Sequence, residues 1–275
     1  MQILHTTLHL GIEKPFTFLQ MTDTHFTFTD DTDTPRRREF ARQRGNDFSH
    51  AEENMEFVRK YVVQTGFPLV HTGDLMDFVT PENLRMVEQF ARDTGMMMVA
   101  GNHEQAICVN DVFCPEDFKG DLDRREATLD EVQTCFENDI RFTCREISGV
   151  NLVGIDDGDY QISLEQLNAL KEVVEQGKPV LLFMHIPLYA DELRARCPDC
   201  YLAPPEHVLA TYSPWQVYEQ KADEVTLQAC AYIRSQKLIK YVICGHMHFN
   251  HETQSPTQIR QLVTGLDTLR QITVV

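Results

Sequence analysis

The chain lacks a long hydrophobic segment, and it lacks any excess of positive charge. No apolar run in its sequence approaches the roughly 20 residues that a membrane-spanning helix requires, so we expect no membrane span. Lys and Arg number 25 against 42 Asp and Glu, which gives a formal net charge of −17. Such a charge repels the phosphate backbone of nucleic acids at long range. These features argue against a membrane protein and against a non-specific nucleic-acid binder.

The sequence also lacks the signature of an export signal. Its first residues, MQILHTTLHLGIEKPF, contain no basic segment followed by a long apolar one. We therefore expect a cytoplasmic protein whose eight cysteines are thiols rather than disulfides. Cys197 and Cys200 form a single C-x-x-C pair, and one such pair without a second is a weak zinc signal. We interpret this pair as incidental or as a local surface clip.

Internal repeats, low-complexity tracts and linkers are absent as well. Short apolar runs instead alternate with helical patterns, which predicts an α/β sheet architecture in a single domain over residues 1–275. Residues 187–219 fit this rhythm poorly because they are rich in proline and tyrosine. Long irregular segments in a compact domain are often functional, so we interpret this segment as a cap over a site.

Six apolar runs predict the strands of the sheet. They span residues 16–21, 67–71, 96–100, 150–155, 180–185 and 240–245. Two helix starts are clearly marked, one by Thr80 followed by Pro81 and one by a capping box of Ser163 and Gln166. The final stretch, 257–275, predicts a strand pair that closes the chain.

Five of the six runs end in polar residues that are unsuited to a core. The endings are Thr22-Asp23-Thr24-His25, Thr72-Gly73-Asp74, Gly101-Asn102-His103-Glu104, His185 and Gly245-His246-Met247-His248. Ligands of open α/β sheets gather at the carboxyl ends of the strands. If these strands are parallel, all five endings converge on one site.

The converging side chains are numerous enough to hold two metal ions. They comprise two carboxylates, one amide oxygen and four imidazoles, from Asp23, His25, Asp74, Asn102, His185, His246 and His248. A single catalytic zinc site takes three or four protein ligands, whereas two metals about 3.5–4 Å apart share a larger set. Because no thiolate is present, the expected divalent ions are Mn, Fe or Zn.

Other histidines are interpreted as ordinary residues. A lone histidine is usually a satisfied core or surface residue, and His5, His9, His50 and His207 are assigned in this way. His71 directly precedes the Gly73-Asp74 turn, and it is expected to face the opposite side of its strand. One D-x-H or H-x-H motif would be weak evidence, but five such endings in this order are strong evidence of a metal site.

The five endings resemble the calcineurin-like metallophosphoesterases. The pattern of that family is D-x-H, G-D, G-N-H-[ED], a lone His and G-H-x-H, and the resemblance covers residues 16–265. It implies a four-layer αββα sandwich with a dinuclear metal site at the C-terminal ends of the strands. It also implies the ligand assignment: Asp23, His25 and His248 for one metal, Asn102, His185 and His246 for the other, with Asp74 bridging. A metal-bridging hydroxide would attack phosphorus.

His103 has no metal in this assignment. An in-line displacement expels an alkoxide, and a positioned imidazolium can protonate it as general acid. A carboxylate partner would supply orientation and a raised pKa, and Asp77 matches the family position with that role. Asp77 can equally serve as a helix N-terminal carboxylate. Glu104 is expected to orient His103 or to cap the following turn, and it is assigned no catalytic role.

One departure from the family pattern separates its branches. Protein phosphatases of the family carry an arginine directly after the position of Asp77, and this chain has Phe78. The match is better to the bacterial phosphodiesterase-like branch. The leading hypothesis is therefore a phosphodiesterase that acts on a small nucleotide-like substrate. Alternatives are a phosphomonoesterase or pyrophosphate-cleaving hydrolase, and a catalytically inactive metal-binding scaffold.

Several residues around the motifs are candidates for substrate contact. They are Asn250, His251, Asp156, Asp157, aromatic residues of the cap, and the arginine cluster of residues 36–44. Each also has an ordinary interpretation as a loop or core residue. The arginine cluster is either a solvated helix face or an anion-attracting rim beside the site.

Overall fold

Two β-sheets and their flanking helices form the framework of the protein. The computed structural model describes residues 1–105, 122–196, 223–254 and 259–275. Within these ranges the strands are β1 Gln2–Leu8, β2 Phe16–Met21, β3 Leu69–Thr72, β4 Met97–Val99, β5 Phe142–Ile147, β6 Val150–Ile155, β7 Val180–Phe183, β8 Ile239–Cys244, β9 His251–Glu252, β10 Arg260–Val263 and β11 Thr268–Val274. The helices are α1 Pro35–Asp47, α2 Ala51–Thr65, α3 Pro81–Thr94, α4 Leu122–Gln133, α5 Leu164–Glu175, α6 Asp191–Arg196 and α7 Glu224–Ser235.

The strand order brings the predicted motifs to one edge of each sheet. The first sheet has the order β1-β11-β2-β3-β4, and the second has the order β5-β6-β7-β8-β10-β9. Strands β2, β3 and β4 are parallel neighbours, as are β6, β7 and β8. Their carboxyl ends therefore lie together, and all five polar endings follow strands of these two parallel sets.

Three buried clusters separate four layers of structure. The two sheets pack against each other, for example through Phe18 and Phe183, whose rings meet edge to face at 5.7 Å. The apolar faces of α2, α3 and α4 cover the outer side of the first sheet. Helices α5 and α7 cover the outer side of the second. The predicted four-layer αββα sandwich is confirmed.

The predicted helix starts are confirmed, but the closing strand pair is wrong. Strands β10 and β11 form at the expected place, yet β10 pairs with β8 and β9 while β11 pairs with β1 and β2. A hairpin would keep both strands in one sheet. Separation lets Leu262 and Ile272 contribute to the central core from opposite sheets.

Part of the predicted cap lies outside the described residues. Residues 197–219 of the segment 187–219, and with them Cys197, Cys200 and His207, belong to this part. Among the described residues, no helix is both long enough and apolar enough to cross a membrane. The cap stays a prediction.

Candidate dinuclear metal centre

The ends of the parallel strands bring the predicted ligands into two groups. In each group three ligand atoms lie within 4.8 Å of one another. The first group is Asp23, His25 and His248, and the second contains Asp74, His185 and His246. The loops after β2, β3, β7 and β8 supply these six side chains, as the sequence predicts.

The first group is closely spaced. The Nε2 atoms of His25 and His248 are 3.3 Å apart. Asp23 Oδ1 lies 3.4 Å from His248 Nε2 and 3.9 Å from His25 Nε2. Three potential donors to one cation therefore face a common point.

The second group includes the amide oxygen of Asn102. This oxygen lies 3.0 Å from His185 Nε2 and 3.2 Å from His246 Nδ1, and the two ring nitrogens are 3.2 Å apart. Asp74 Oδ2 lies 3.2 Å from His185 Nε2 and 3.7 Å from His25 Nε2. Asp74 therefore stands between the two groups, where a bridging carboxylate has to be.

The chemistry of the donors fits divalent metal ions. His185 Nδ1 donates to the carbonyl oxygen of Thr72 at 2.8 Å, and His25 Nδ1 donates to the Asp77 carboxylate at 2.9 Å. Both partners only accept, so each ring keeps a proton on Nδ1, and loss of any Nε2 proton leaves a lone pair that faces the group, as metal binding requires. Metal–ligand bonds of about 2.0–2.1 Å give ligand–ligand separations of about 3.0–3.4 Å. Most of the observed separations lie in this range.

The electrostatics of the buried carboxylates also favour a cation. Asp23 and Asp74 are each only 2% exposed. Burial opposes protonation of the fully buried His185, yet the charge of Asp74 raises the pKa of His185 to about 10. The negative potential is thus strong enough to hold a positive charge in an enclosed place, which is the property that a metal site requires.

The backbone at the ligands is strained. Five of the proposed ligands have left-handed backbone angles: Asp23 (φ 52°), His25 (52°), Asp74 (56°), His246 (65°) and His248 (56°). Each such residue costs on the order of 1–3 kcal/mol, and strain of this kind concentrates at functional sites. These conformations lower the stability of the fold, and they place the side chains at the site. This supports a binding role.

Two glycines permit the close approach of the loops. A Cβ atom at Gly101 would collide with Asp74 Oδ1, and one at Gly245 would collide with Thr22 Oγ1 and lie 2.5 Å from Asp23 Oδ2. Gly101 therefore lets its backbone approach the central carboxylate of Asp74.

His103 faces the site from the side of Asp74. Its Nδ1 donates to the backbone carbonyl of Asp77 at 2.7 Å, and its Nε2 lies 4.0 Å from Asp74 Oδ2. Burial lowers the pKa of His103, but the charges of Asp74 and Asp77 outweigh it, and the net pKa is raised. The imidazole is therefore oriented and favoured in the form that can donate a proton.

Asp77 has more partners than the sequence indicates. Its Oδ1 lies 3.3 Å from His103 Nδ1 and 2.9 Å from His25 Nδ1. Both of its oxygens also accept hydrogen bonds from Arg44, at 2.7 and 2.8 Å. Burial raises the pKa of Asp77, but the hydrogen bonds from Arg44 outweigh burial and hold this pKa well below its usual value. The sequence placed Arg44 only in a general arginine cluster.

Glu104 supports the ligand loops rather than His103. Its buried carboxylate accepts from the backbone N–H groups of Asp74, Leu75 and Gly101, each at 2.8 Å. Neither of the roles expected from the sequence, orientation of the His103 ring or a cap on the following turn, describes these contacts. Burial and the charge of Asp74 raise the pKa of Glu104 to about 7.

Replacement of Glu104 is expected to destabilise the protein. Glu104→Ala leaves four buried backbone N–H groups, those of the three residues above and of Met76, without this acceptor. Each costs about 1–3 kcal/mol, whereas Glu104→Gln keeps one side-chain oxygen and should lose less. Urea unfolding of the metal-free protein measures the difference. Equal stability of Glu104→Ala and wild type would show that these hydrogen bonds do not hold the loops.

The candidate substrate residues are mostly engaged in structural contacts. Asp157 accepts from the backbone of His185 at 2.9 Å, and Asp156 accepts from Gly158 N at 2.8 Å. Asn250 donates to Thr268 Oγ1 at 3.0 Å. His251 Nε2 lies 3.2 Å from Glu192. These contacts hold the loops in which the four residues lie. A role of these residues in substrate contact stays a prediction.

Four further histidines of the described residues, His5, His9, His50 and His71, lie outside both ligand groups. His5, His9 and His50 are exposed, as expected of ordinary surface residues. His71 is fully buried, and its Nε2 lies 3.0 Å from Thr24 Oγ1. Burial lowers the pKa of His71 to about 3, so this ring is neutral.

Comparison with known families agrees with the geometry. The sequence profile of the calcineurin-like phosphoesterases matches residues 16–250. The chain belongs to this family. The family comprises phosphoester hydrolases that typically bind divalent metals, and the two ligand groups of this chain fit that property. Among curated protein sequences, none is similar enough to the chain to count as a match.

Solved structures share the family fold at low sequence identity. A purple acid phosphatase from yellow lupin (Lupinus luteus) is 14% identical with a TM-score of 0.51, over 94% of this chain and 44% of the lupin chain. A dimetal phosphatase from Danio rerio is 13% identical with a TM-score of 0.49, over 91% and 87% of the two chains. A phosphopantetheinyl hydrolase from Mycobacterium tuberculosis is 13% identical with a TM-score of 0.47, over 93% and 95%. The lupin structure shows the shared fold, and identities this low indicate no substrate.

Proposed function

We propose that this calcineurin-like phosphoesterase is a dinuclear metal-dependent phosphodiesterase that acts on a small nucleotide-like substrate. The observation that carries the proposal is the position of Asp74 Oδ2 between the two ligand groups, 3.2 Å from His185 Nε2 and 3.7 Å from His25 Nε2. Two separate metal sites would not need a shared carboxylate. A catalytically inactive scaffold would not need the complete set of ligands together with an oriented His103.

The residues divide between two metal positions. Asp23, His25 and His248 would hold one ion, Asn102, His185 and His246 would hold the other, and Asp74 would contact both. Bound divalent ions, with Mn, Fe and Zn as the expected metals, supply an activated water and neutralise the charge of the phosphoryl oxygens.

His103 is the proposed general acid. Its Nδ1 proton is committed to the Asp77 carbonyl, so its Nε2 is free to hold a second proton toward the site. A leaving alkoxide that departs on this side takes the Nε2 proton and leaves as a neutral alcohol. Asp77 keeps the ring in the required orientation.

We expect a preference for diesters because Phe78 stands at the position where protein phosphatases of the family carry an arginine. Phe78 is fully buried against Phe40 and Ala41, so it offers no charged group to a phosphate. A monoester carries one more negative charge than a diester, so it gains more from binding to an arginine. The net charge of −17 also disfavours a polyanionic substrate. The cytoplasmic location expected from the sequence stays a prediction.

A paired assay tests the proposal. The Mn²⁺-loaded protein is expected to hydrolyse bis(nitrophenyl) phosphate faster than the nitrophenyl monoester, with Asp74→Ala as the blank. A diester preference justifies a screen of cyclic and linear nucleotides. A monoester preference would contradict the diesterase proposal in favour of the phosphomonoesterase. Absence of turnover on both esters and on the nucleotide screen, with two metals bound, would favour the scaffold.

A further inference from the structure

Helix α1 brings one of its arginines to the metal centre. Other arginines of this helix pair with nearby acidic residues, such as Arg37 with the buried Asp33 and Arg42 with the exposed Glu39. Arg44 lies near the end of α1, and its side chain is 22% exposed. Its guanidinium contacts Asp77 and, at 3.4 Å, Asp47. The arginine cluster is therefore neither a wholly solvated face nor a wholly open rim.

The residue that follows Asp77 anchors this helix. Phe78 forms a small apolar cluster with Phe40 and Ala41 of α1, and the rings of Phe40 and Phe78 are 5.7 Å apart. The dipeptide Asp77-Phe78 therefore supplies both the carboxylate that Arg44 binds and the surface on which α1 docks. The packing of α1 on Phe78 therefore determines the position of Arg44.

Arg44 fixes the carboxylate of Asp77 with two hydrogen bonds. Nε donates to Oδ2 at 2.7 Å and Nη2 donates to Oδ1 at 2.8 Å. A planar guanidinium fork sets the orientation of a carboxylate in a way that a single donor does not. The same Oδ1 lies 2.9 Å from His25 Nδ1 and 3.3 Å from His103 Nδ1. One oriented carboxylate thus contacts both rings.

A second route connects Arg44 with His25. The guanidinium carbon lies 4.8 Å from the ring centroid of Phe48. The Phe48 ring stacks on His25 with centroids 4.1 Å apart and an interplanar angle of 14°. The His25 ring is therefore held at Nδ1 by Asp77 and on its face by Phe48, and Arg44 contacts both of these groups.

We propose that Arg44 is a positioning residue that orients His25 as a metal ligand and His103 as a proton donor, acting through Asp77 and Phe48. The part that concerns His103 rests on the proposed function, whereas the part that concerns His25 requires only metal binding. Loss of a partner that orients a ligating histidine typically weakens metal affinity or activity by about 10–100-fold. The same range is expected here.

Three variants test the role of the guanidinium fork. Arg44→Ala removes the charge and the fork, Arg44→Lys keeps the charge without the fork, and Arg42→Ala is the control on the same helix. Calorimetric titration of the metal-free proteins with Mn²⁺ measures the affinities, and circular dichroism checks the fold. Arg44→Lys guards against a folding defect, because it leaves no uncompensated Asp77 charge.

Both Arg44 variants are expected to bind one of the two ions about 10–100-fold more weakly, while Arg42→Ala binds like wild type. In turnover, kcat is expected to fall with KM nearly unchanged. Wild-type affinity for both ions in Arg44→Lys would overturn the proposal. Weakened metal binding in a protein whose wild type hydrolyses no phosphoester would refute the proposed function and leave the role of Arg44 toward His25 intact.

Discussion

Asp74→Ala is expected to abolish both metal occupancy and phosphoesterase activity. The carboxylate stands between the two ligand groups, 3.2 Å from His185 Nε2 and 3.7 Å from His25 Nε2. Its removal takes a ligand from each ion at once and removes the main charge that raises the pKa of His185. The metal content after dialysis and the rate of diester hydrolysis measure the effect.

The control for this substitution is Asp31→Ala. Asp31 is fully exposed and contacts only a surface arginine within the described structure, Arg38 at 3.6 Å. The Asp31→Ala protein should bind both metals and hydrolyse the diester at the wild-type rate. An Asp74→Ala protein that keeps two ions and normal turnover would refute the bridging assignment.

His103→Ala is expected to retain the metals and to slow turnover by about 10²–10⁴-fold, the usual contribution of a positioned general acid. His103 is assigned to neither proposed metal position, so we expect the metal content to be unchanged. The loss should be smallest for nitrophenyl esters, because their leaving groups need no proton. A series of diesters with leaving groups of increasing pKa measures the dependence.

The exposed His50 provides the matched control, since His50→Ala removes an imidazole that lies outside the ligand groups. It should leave the whole series unchanged. If His103→Ala slowed good and poor leaving groups to the same extent, His103 would have a role other than proton donation.

The ligand set could be predicted from sequence because metal-ligating residue types follow the apolar runs that form the strands. Asp23, Asn102 and His246 are polar residues that lie within two positions of the end of an apolar run. Parallel strands then bring these ends together, as the sheets confirm. The four-layer fold could be predicted because the resemblance to the family covers nearly the whole chain.

Other parts of the site depend on contacts that sequence does not display. Arg44 lies 33 residues before Asp77, and only the docking of α1 on Phe78 brings the two together. Glu104 is next to His103 in sequence, yet its carboxylate turns to backbone donors of another loop. Side-chain direction of this kind is set by tertiary packing, so no local pattern reveals it.

The prediction that the last two strands pair with each other was wrong for a related reason. Two apolar segments separated by Thr-Gly-Leu-Asp favour a hairpin on local grounds. The choice between one sheet and two is made by packing in the central core, to which Leu262 and Ile272 contribute from opposite sheets. Periodicity reports which residues are buried, and it does not report which sheet buries them.

Anomalous diffraction from crystals grown with Mn²⁺ tests the dinuclear centre most directly. The predicted result is two anomalous peaks per chain, one among Asp23, His25 and His248 and one among Asn102, His185 and His246. The Asp74 carboxylate should contact both. A single peak, or two peaks that Asp74 does not join, would contradict the shared-carboxylate site.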